Sequence, residues 1–230
     1  MTDNPFFEPY RTPHQTVPFD KIKIEHYEPA IREGMLREEQ EINSIIQNPE
    51  TPTFENTILP LEQSGELLER VTTVMFNLLS SETCDELEAI AEKMTPELTE
   101  HSNNIGLNEA LFQRVKHVYE STDRTKLTSE ECRLLQNTYD GFVRRGANLA
   151  PDEKETYRKI TAEISTLTLR FSQNHLKETN HYELHLTTED QLAGLPQSAI
   201  ESASHTAREK GKDGWVITLQ APSYVPFMKY

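Results

Sequence analysis

The stretch Tyr157-Arg-Lys-Ile160-Thr-Ala-Glu-Ile164-Ser-Thr-Leu167-Thr-Leu-Arg-Phe171 places an apolar residue at alternating steps of three and four. That spacing returns side chains to one stripe of an α-helix and matches the seam of a coiled coil. It predicts a long helix packed against antiparallel neighbours. Upstream, Thr128 and Glu131 have the spacing of a capping box, Leu134, Leu135, Tyr139 and Phe142 follow, and Gly146 is placed to end that helix in a left-handed cap. Farther upstream, Asn108 caps a short helix through Leu111, Phe112, Val115 and Tyr119. A helix with Leu87, Ile90, Met94 and Leu98 contains Pro96, which removes one backbone donor and is expected to bend it. Thr53 caps another, with Ile58, Leu61, Leu68, Val71, Met75 and Leu78 on one stripe and Pro60 as a kink or first-turn residue. From Tyr27, the residues Ile31, Met35, Ile42, Ile45 and Ile46 define a helix ending near Asn48-Pro49. The fold class is therefore mainly α, built from long antiparallel helices.

Beyond the opening stretch the period changes. Tyr182, Leu184 and Leu186 alternate with His181, Glu183 and His185, which reads as a strand. A helix near 197–210 and a second strand, Trp215 to Leu219, follow the turn residues Lys212-Asp213-Gly214. The two strands are expected to pair as a small β element. At the other end, Pro5, Pro9, Pro13 and Pro18 prevent a regular helix, so residues 1–24 read as an extended arm anchored by Phe6, Phe7 and Phe19. The expected organisation is an arm at 1–24, a helical domain at 25–180, and the start of a mixed α/β segment at 181–230.

Composition agrees with helices. Only 8 of 230 residues are glycine, 27% are charged and 35% hydrophobic, a balance that favours helices with wide solvated faces. Lys and Arg number 23 against 38 Asp and Glu, and the net charge of -15 repels phosphate backbones and anionic lipid. Neither nucleic acid nor membrane is an expected partner. Cys84 and Cys132 show no C-x-x-C spacing and suggest no disulfide framework, and no long apolar run occurs. A soluble, cytoplasmic chain is expected. The last residues, Pro222-Ser-Tyr-Val-Pro-Phe-Met-Lys-Tyr230, lack the polar character usual at a natural terminus, so the chain is expected to be a piece of a longer one.

The chemistry-bearing candidates are few. His181-Tyr-Glu183-Leu-His185 has the composition of an H-E-x-x-H zinc signature but not its order. On a helix that signature sets two histidines one turn apart beside a general base. Here the acid is displaced, and on a strand the three polar groups share a face, where they could ligate a metal but more commonly form a solvated edge. His14, His26, His101, His117, His175 and His205 are scattered without chelating spacing. Glu38, Glu39, Gln40, Glu41, Asp85 and Glu86 read as solvated helix faces, with binding of peptide amines as the functional alternative. Arg144-Arg145 sits where cations favour a helix C-terminus. No G-x-S-x-G, cysteine-nucleophile motif, phosphate loop or true H-E-x-x-H is present. No residue of this chain is assigned a catalytic, cofactor-binding or metal role.

Several phrases, kept in order, resemble one family. They are Asn4-Pro-Phe-Phe, Ile24-Glu-His-Tyr-Glu-Pro-Ala-Ile31, Pro52-Thr-Phe-Glu-Asn-Thr-Ile-Leu-Pro-Leu-Glu-Gln-Ser-Gly65, Gly141-Phe-Val-Arg-Arg-Gly-Ala-Asn-Leu149, Phe171-Ser-Gln-Asn174, Leu192-Ala-Gly-Leu-Pro196 and Trp215-Val-Ile-Thr-Leu-Gln-Ala-Pro-Ser-Tyr224. Together they are similar to the N-terminal region of the thimet-oligopeptidase family of zinc metallopeptidases, in its peptidyl-dipeptidase and oligopeptidase A branch. The resemblance spans almost the whole chain.

The resemblance implies a helical protein with a deep channel, one wall of which is this region. It also implies zinc in the full-length enzyme, held by an H-E-x-x-H motif and a later Glu in a C-terminal catalytic half, and short unfolded peptides as substrates. None of those ligands maps onto residues 1–230. The expectation is a channel-wall piece of a zinc peptidyl-dipeptidase or oligopeptidase, inactive alone. The competing expectation is a stand-alone helical interaction module without catalysis.

Overall fold

A computed structural model describes residues 4–230. They form two compact units, one extending to Thr166 and the other running from Leu167 to Tyr230.

The first unit is helical. Its first helix, α1 (Tyr27–Gln47), buries Tyr27, Ala30 and Ile31 at one end and Ile42 and Ile45 at the other. After it, Thr53 caps a π turn at Phe54–Ile58, with Asn56 N–H donating to the Thr53 hydroxyl at 3.2 Å and Thr53 N–H donating to Asn56 Oδ1 at 2.8 Å. Where the apolar stripe predicts one helix, with Pro60 as a kink or a first-turn residue, there are two, α2 (Leu59–Gln63) and α3 (Glu66–Ser81). Pro60 sits harmlessly in the first turn of α2, and the break comes at Ser64-Gly65, where Gly65 adopts φ +75. Next, α4 (Asp85–Gly106) runs through Pro96, and α5 (Glu109–Ser121) is capped by the Asn108 side chain. The helix α6 (Ser129–Arg144) has the capping box of Thr128 and Glu131 at its start. At its end Gly146, at φ +86, lets Ala147 N–H reach Phe142 O at 3.0 Å.

These helices enclose two hydrophobic cores, and α1 belongs to both. One joins Phe6 of the arm to Tyr27, Ile31, Val71, Met75, Leu87 and Met94; the other joins Ile42 and Ile45 to Phe54, Ile58, Leu111, Val115 and Leu135. Close approach of α1 to α3 depends on Gly34, where a Cβ would lie 2.9 Å from the Leu68 Cα. Arg114 fastens the 48–57 loop to α5, donating to Asn48 O at 2.8 Å. The arm is anchored by Phe6, fully buried, and Phe7, half-buried. Phe19 is not an anchor: it is 56% exposed, because the chain there turns through Pro18–Lys21 with the ring outward.

The helix predicted from the opening stretch is α7 (Pro151–His181), and its seam is not packed as expected. Ile160, Ile164, Leu167 and Phe171 are 51%, 56%, 54% and 72% exposed. Toward α4 the helix presents polar groups instead, with Asn103 Nδ2 donating to Thr161 at 2.9 Å and Arg158 to Asn104 at 2.8 Å. In the second unit β1 (Leu184–Leu186) pairs antiparallel with β2 (Trp215–Ile217), His185 opposite Val216. Between them lies α8 (Gln197–Glu209), and α9 (Ala221–Lys229) follows β2. Leu186, Leu192, Ala203 and Ile217 form this unit's small core. Because α7 continues through His181, the strand starts three residues later than the alternation suggests. No described helix is long and apolar enough to cross a membrane.

Candidate functional site

The middle of α1 passes between the two cores of the first unit, and there the helix carries Glu38 between the buried Ile31 and Ile42. Across from it on α4 is His101, whose Nε2 lies 2.8 Å from Glu38 Oε2, with side chains only 14% and 19% exposed. One turn along α1, Glu41 accepts a hydrogen bond from Gly65 N–H at 2.9 Å. Gly65 fits because it lacks a Cβ, which would stand 2.7 Å from the Glu38 carboxyl carbon. At the far side the stem of Arg145 lies over Gly106, where a Cβ would be 3.3 Å from its Cδ. Two hollows of about 400 and 490 Å³ meet along Glu38, Ser64, Ile105 and Arg145. His101 borders the first of these and also a smaller hollow of about 290 Å³ with Glu39, Glu97 and Glu100.

Ion pairs between α1 and α4 hold the cleft in shape. Arg32 makes a two-pronged contact to Glu97 at 2.6 and 2.9 Å, and Lys93 donates to Glu28 at 2.6 Å. The hydrogen bond from Lys93, then that from Arg32, holds the Glu28 carboxyl below its ordinary range. The cleft holds no assembled nucleophile and base. Its imidazole is engaged with Glu38, and the Ser64 hydroxyl donates to Leu61 O at 2.7 Å, so neither forms the nucleophile-and-base contact of covalent catalysis. The lining of the cleft carries the Glu38 carboxylate and the Arg145 side chain.

The H-x-E-x-H segment is not assembled as a ligand set. His181 closes α7, Glu183 precedes β1 and His185 is within it. Glu183 accepts from Lys210 Nζ at 2.6 Å and also from Lys212, and these two hydrogen bonds hold its carboxyl down to about 2. His185 Nε2 donates to Asp213 O at 2.6 Å. Among the described residues no three His, Cys, Asp or Glu side chains are grouped to hold a metal ion. Of the other histidines, His205 pairs with Glu209 at 3.5 Å and His175 stacks on Phe171. Asp85 and Glu86 occupy the first turn of α4 and Arg144 the last turn of α6, where each suits the helix dipole.

His101 and Glu38 are 63 residues apart, and neither stands out in sequence. What points to their meeting place is the family-like phrasing: the phrase ending at Gly65 and the phrase containing Arg145 converge on it. Residues 31–154 match the family described as TOP_N, Neurolysin/Thimet oligopeptidase, N-terminal domain. The chain belongs to this family. Among its relatives is a dipeptidyl carboxypeptidase of Escherichia coli (strain K12), 42% identical over 95% of this chain and 32% of the relative. An oligopeptidase A of Haemophilus influenzae is 31% identical over 93% of this chain and 31% of the relative. A probable cytosolic oligopeptidase A of Arabidopsis thaliana is 29% identical over the full chain and 33% of the relative. The chain thus spans about a third of the length of these thimet-oligopeptidase relatives. Both phrases that build the cleft lie inside the matched 31–154 domain.

Proposed function

We propose that this chain is the N-terminal channel wall of a zinc-dependent peptidase that hydrolyses short unfolded peptides in the cytoplasm, by removing dipeptides or by internal cleavage. In this reading residues 1–24 are an arm, 25–180 the helical wall, and 181–230 the opening of a mixed α/β segment leading toward a catalytic half. The observation that carries it is the agreement of nearly the whole chain with one third of dipeptidyl carboxypeptidase and oligopeptidase A relatives, in a single continuous match.

The zinc implied by that reading does not fit the residues of this chain. Its one lookalike segment has Glu183 committed to two lysines and His185 to a backbone carbonyl. No chemical step is therefore assigned to residues 1–230, and the chain's part is to bound and guide the peptide, with the cleft around Glu38, His101 and Arg145 as its candidate contact surface.

The test compares this chain with the product of any longer reading frame that contains it, using internally quenched oligopeptides and metal analysis. Hydrolysis and stoichiometric zinc in the longer product alone are expected. A longer frame with no H-E-x-x-H, or hydrolysis by residues 1–230 alone, rejects the reading. A helical interaction module without catalysis is the outcome if the longer product binds peptides and leaves them intact.

A further inference from the structure

We propose that the hollow beneath the N-terminal arm binds a small oligophosphate anion, either a free pyrophosphate or the phosphate end of a nucleotide. The hollow measures about 750 Å³, larger than any of those at the Glu38 cleft, and it lies wholly within the first unit. Its lining runs against the character of the chain. In a protein of net charge -15, Arg11, Lys21, Lys23 and His26 converge on one concavity, opposed among its lining residues by a single carboxylate, Glu8.

Three features suit an oligophosphate. First, the cations come from separated points on the arm, so a ligand with several negative oxygens spread over two phosphorus centres engages more of them than a single carboxylate does. Second, His26 Nδ1 accepts a hydrogen bond from Lys23 N–H at 3.0 Å. That leaves the proton of neutral His26 on Nε2, a donor for a phosphate oxygen. Lys23 can turn to a bound phosphate, because its ion pair to Glu25 is long, at 3.9 Å, and both side chains are mostly exposed.

Third, the arm is built to hold a shape. Pro5, Pro9 and Pro18 line the hollow, and each fixes its own backbone φ along the wall. Glu25, 3.9 Å from Lys23, opposes the patch locally, whereas acidic charges beyond about 8 Å are largely screened at physiological salt. The acidic remainder of the chain does disfavour a long polyanion such as duplex nucleic acid, so the ligand is small.

The test is isothermal titration of the 230-residue chain with inorganic pyrophosphate at physiological salt, with adenosine diphosphate as a second arm. Saturable binding is expected, weaker at higher salt, and reduced about tenfold or more in Lys21→Ala/Lys23→Ala through loss of two charge-assisted contacts. A charge-matched control, Lys116→Ala/Lys126→Ala, removes the same charge elsewhere and is expected to bind as the parent does. Both lysines of the first pair are exposed, so an unchanged melting midpoint shows that the variant is folded. Tighter binding of adenosine diphosphate than of pyrophosphate assigns the site to a nucleotide, and equal binding assigns it to the oligophosphate itself. No saturable binding at millimolar pyrophosphate, or equal loss in the control pair, overturns the proposal.

Discussion

His101 Nε2 and Glu38 Oε2 meet at 2.8 Å between α1 and α4, which the Arg32–Glu97 and Lys93–Glu28 pairs also join, and both side chains are mostly withdrawn from water. Removing one partner strands the other in a half-buried site. His101→Ala is therefore expected to cost about 1–3 kcal/mol of stability, the penalty of an unmade buried hydrogen bond. Urea denaturation of the variant measures it, and a change within error would mean that Glu38 rehydrates freely and the pair does not brace the cleft.

Gly65 lines the hollow of about 400 Å³ and Gly141 the adjoining one of about 490 Å³, yet they predict opposite outcomes. At Gly65 the backbone is left-handed and a Cβ would press on the Glu38 carboxyl carbon at 2.7 Å. Gly65→Ala is expected to destabilise by about 1–3 kcal/mol from backbone strain alone, with the displacement of Glu38 added. Gly141 lies within α6 and a Cβ there meets nothing within 4 Å. Gly141→Ala is expected to stabilise by about 0.5–1 kcal/mol, the helix preference of alanine over glycine. Melting midpoints that move in the same direction for both would contradict this account of the cleft.

The helices were legible from their apolar stripes, and several are written a second time as a cap. Thr128 with Glu131, Asn108, Thr53 and Gly146 all perform the end-capping that their positions suggest. The break at Ser64-Gly65 was not legible, because the stripe from Ile58 to Leu78 continues in phase across it, and the left-handed backbone and the closeness of Glu38 that call for glycine there show only in the fold. α9 is not legible either: Pro222 and Pro226 are poor helix residues, although Pro222 occupies the first turn, where its missing donor costs nothing. The cleft itself joins residues from α1, α4 and the end of α6. Periodicity describes one helix at a time and cannot say which polar residues from different helices will face each other.

The same limit explains α7. Its seam shows that Ile164 is apolar on one face but carries no information about what that face meets, and Ile164 is 56% exposed. Leu111, from an equally plain stripe, is fully buried in the core with Phe54, Ile58 and Leu135. Leu111→Ala is expected to cost about 2–5 kcal/mol, a lost transfer contribution plus a cavity. Ile164→Ala is expected to stay within about 0.5 kcal/mol, as for other surface changes. If Ile164→Ala proves as costly as Leu111→Ala in guanidinium denaturation, the seam is buried in solution, by self-association or by repacking. Sedimentation of the parent chain then separates the two.

Thr128 closes the start of α6 reciprocally, its hydroxyl accepting from Glu131 N–H at 3.2 Å while Glu131 Oε2 accepts from Thr128 N–H at 2.7 Å. Thr128→Ala leaves one first-turn donor without its acceptor and is expected to cost about 0.5–2 kcal/mol. Thr128→Ser retains the oxygen and is expected to restore most of the loss. Equal melting midpoints for the alanine and serine variants would show that the cap contributes nothing.

Glu183 gives the pH dependence with the clearest sign. Lys210 and Lys212 hold its carboxyl down to about 2, against 4.5 for an unperturbed glutamate. A carboxylate whose folded value is depressed adds stability above its unfolded value, and the protein loses that stability as pH falls through the interval toward the folded value. The contribution is thus fully present above about pH 5 and disappears by about pH 2. Thermal melts of the parent and of Glu183→Gln across this range should differ most at neutral pH and converge in acid. The glutamine can accept a hydrogen bond but carries no charge, so a gap that stays constant down to pH 2 would assign the effect to hydrogen-bond geometry and remove the ion pair from the explanation. High salt at neutral pH should shrink the gap as well, because all three side chains are partly solvated.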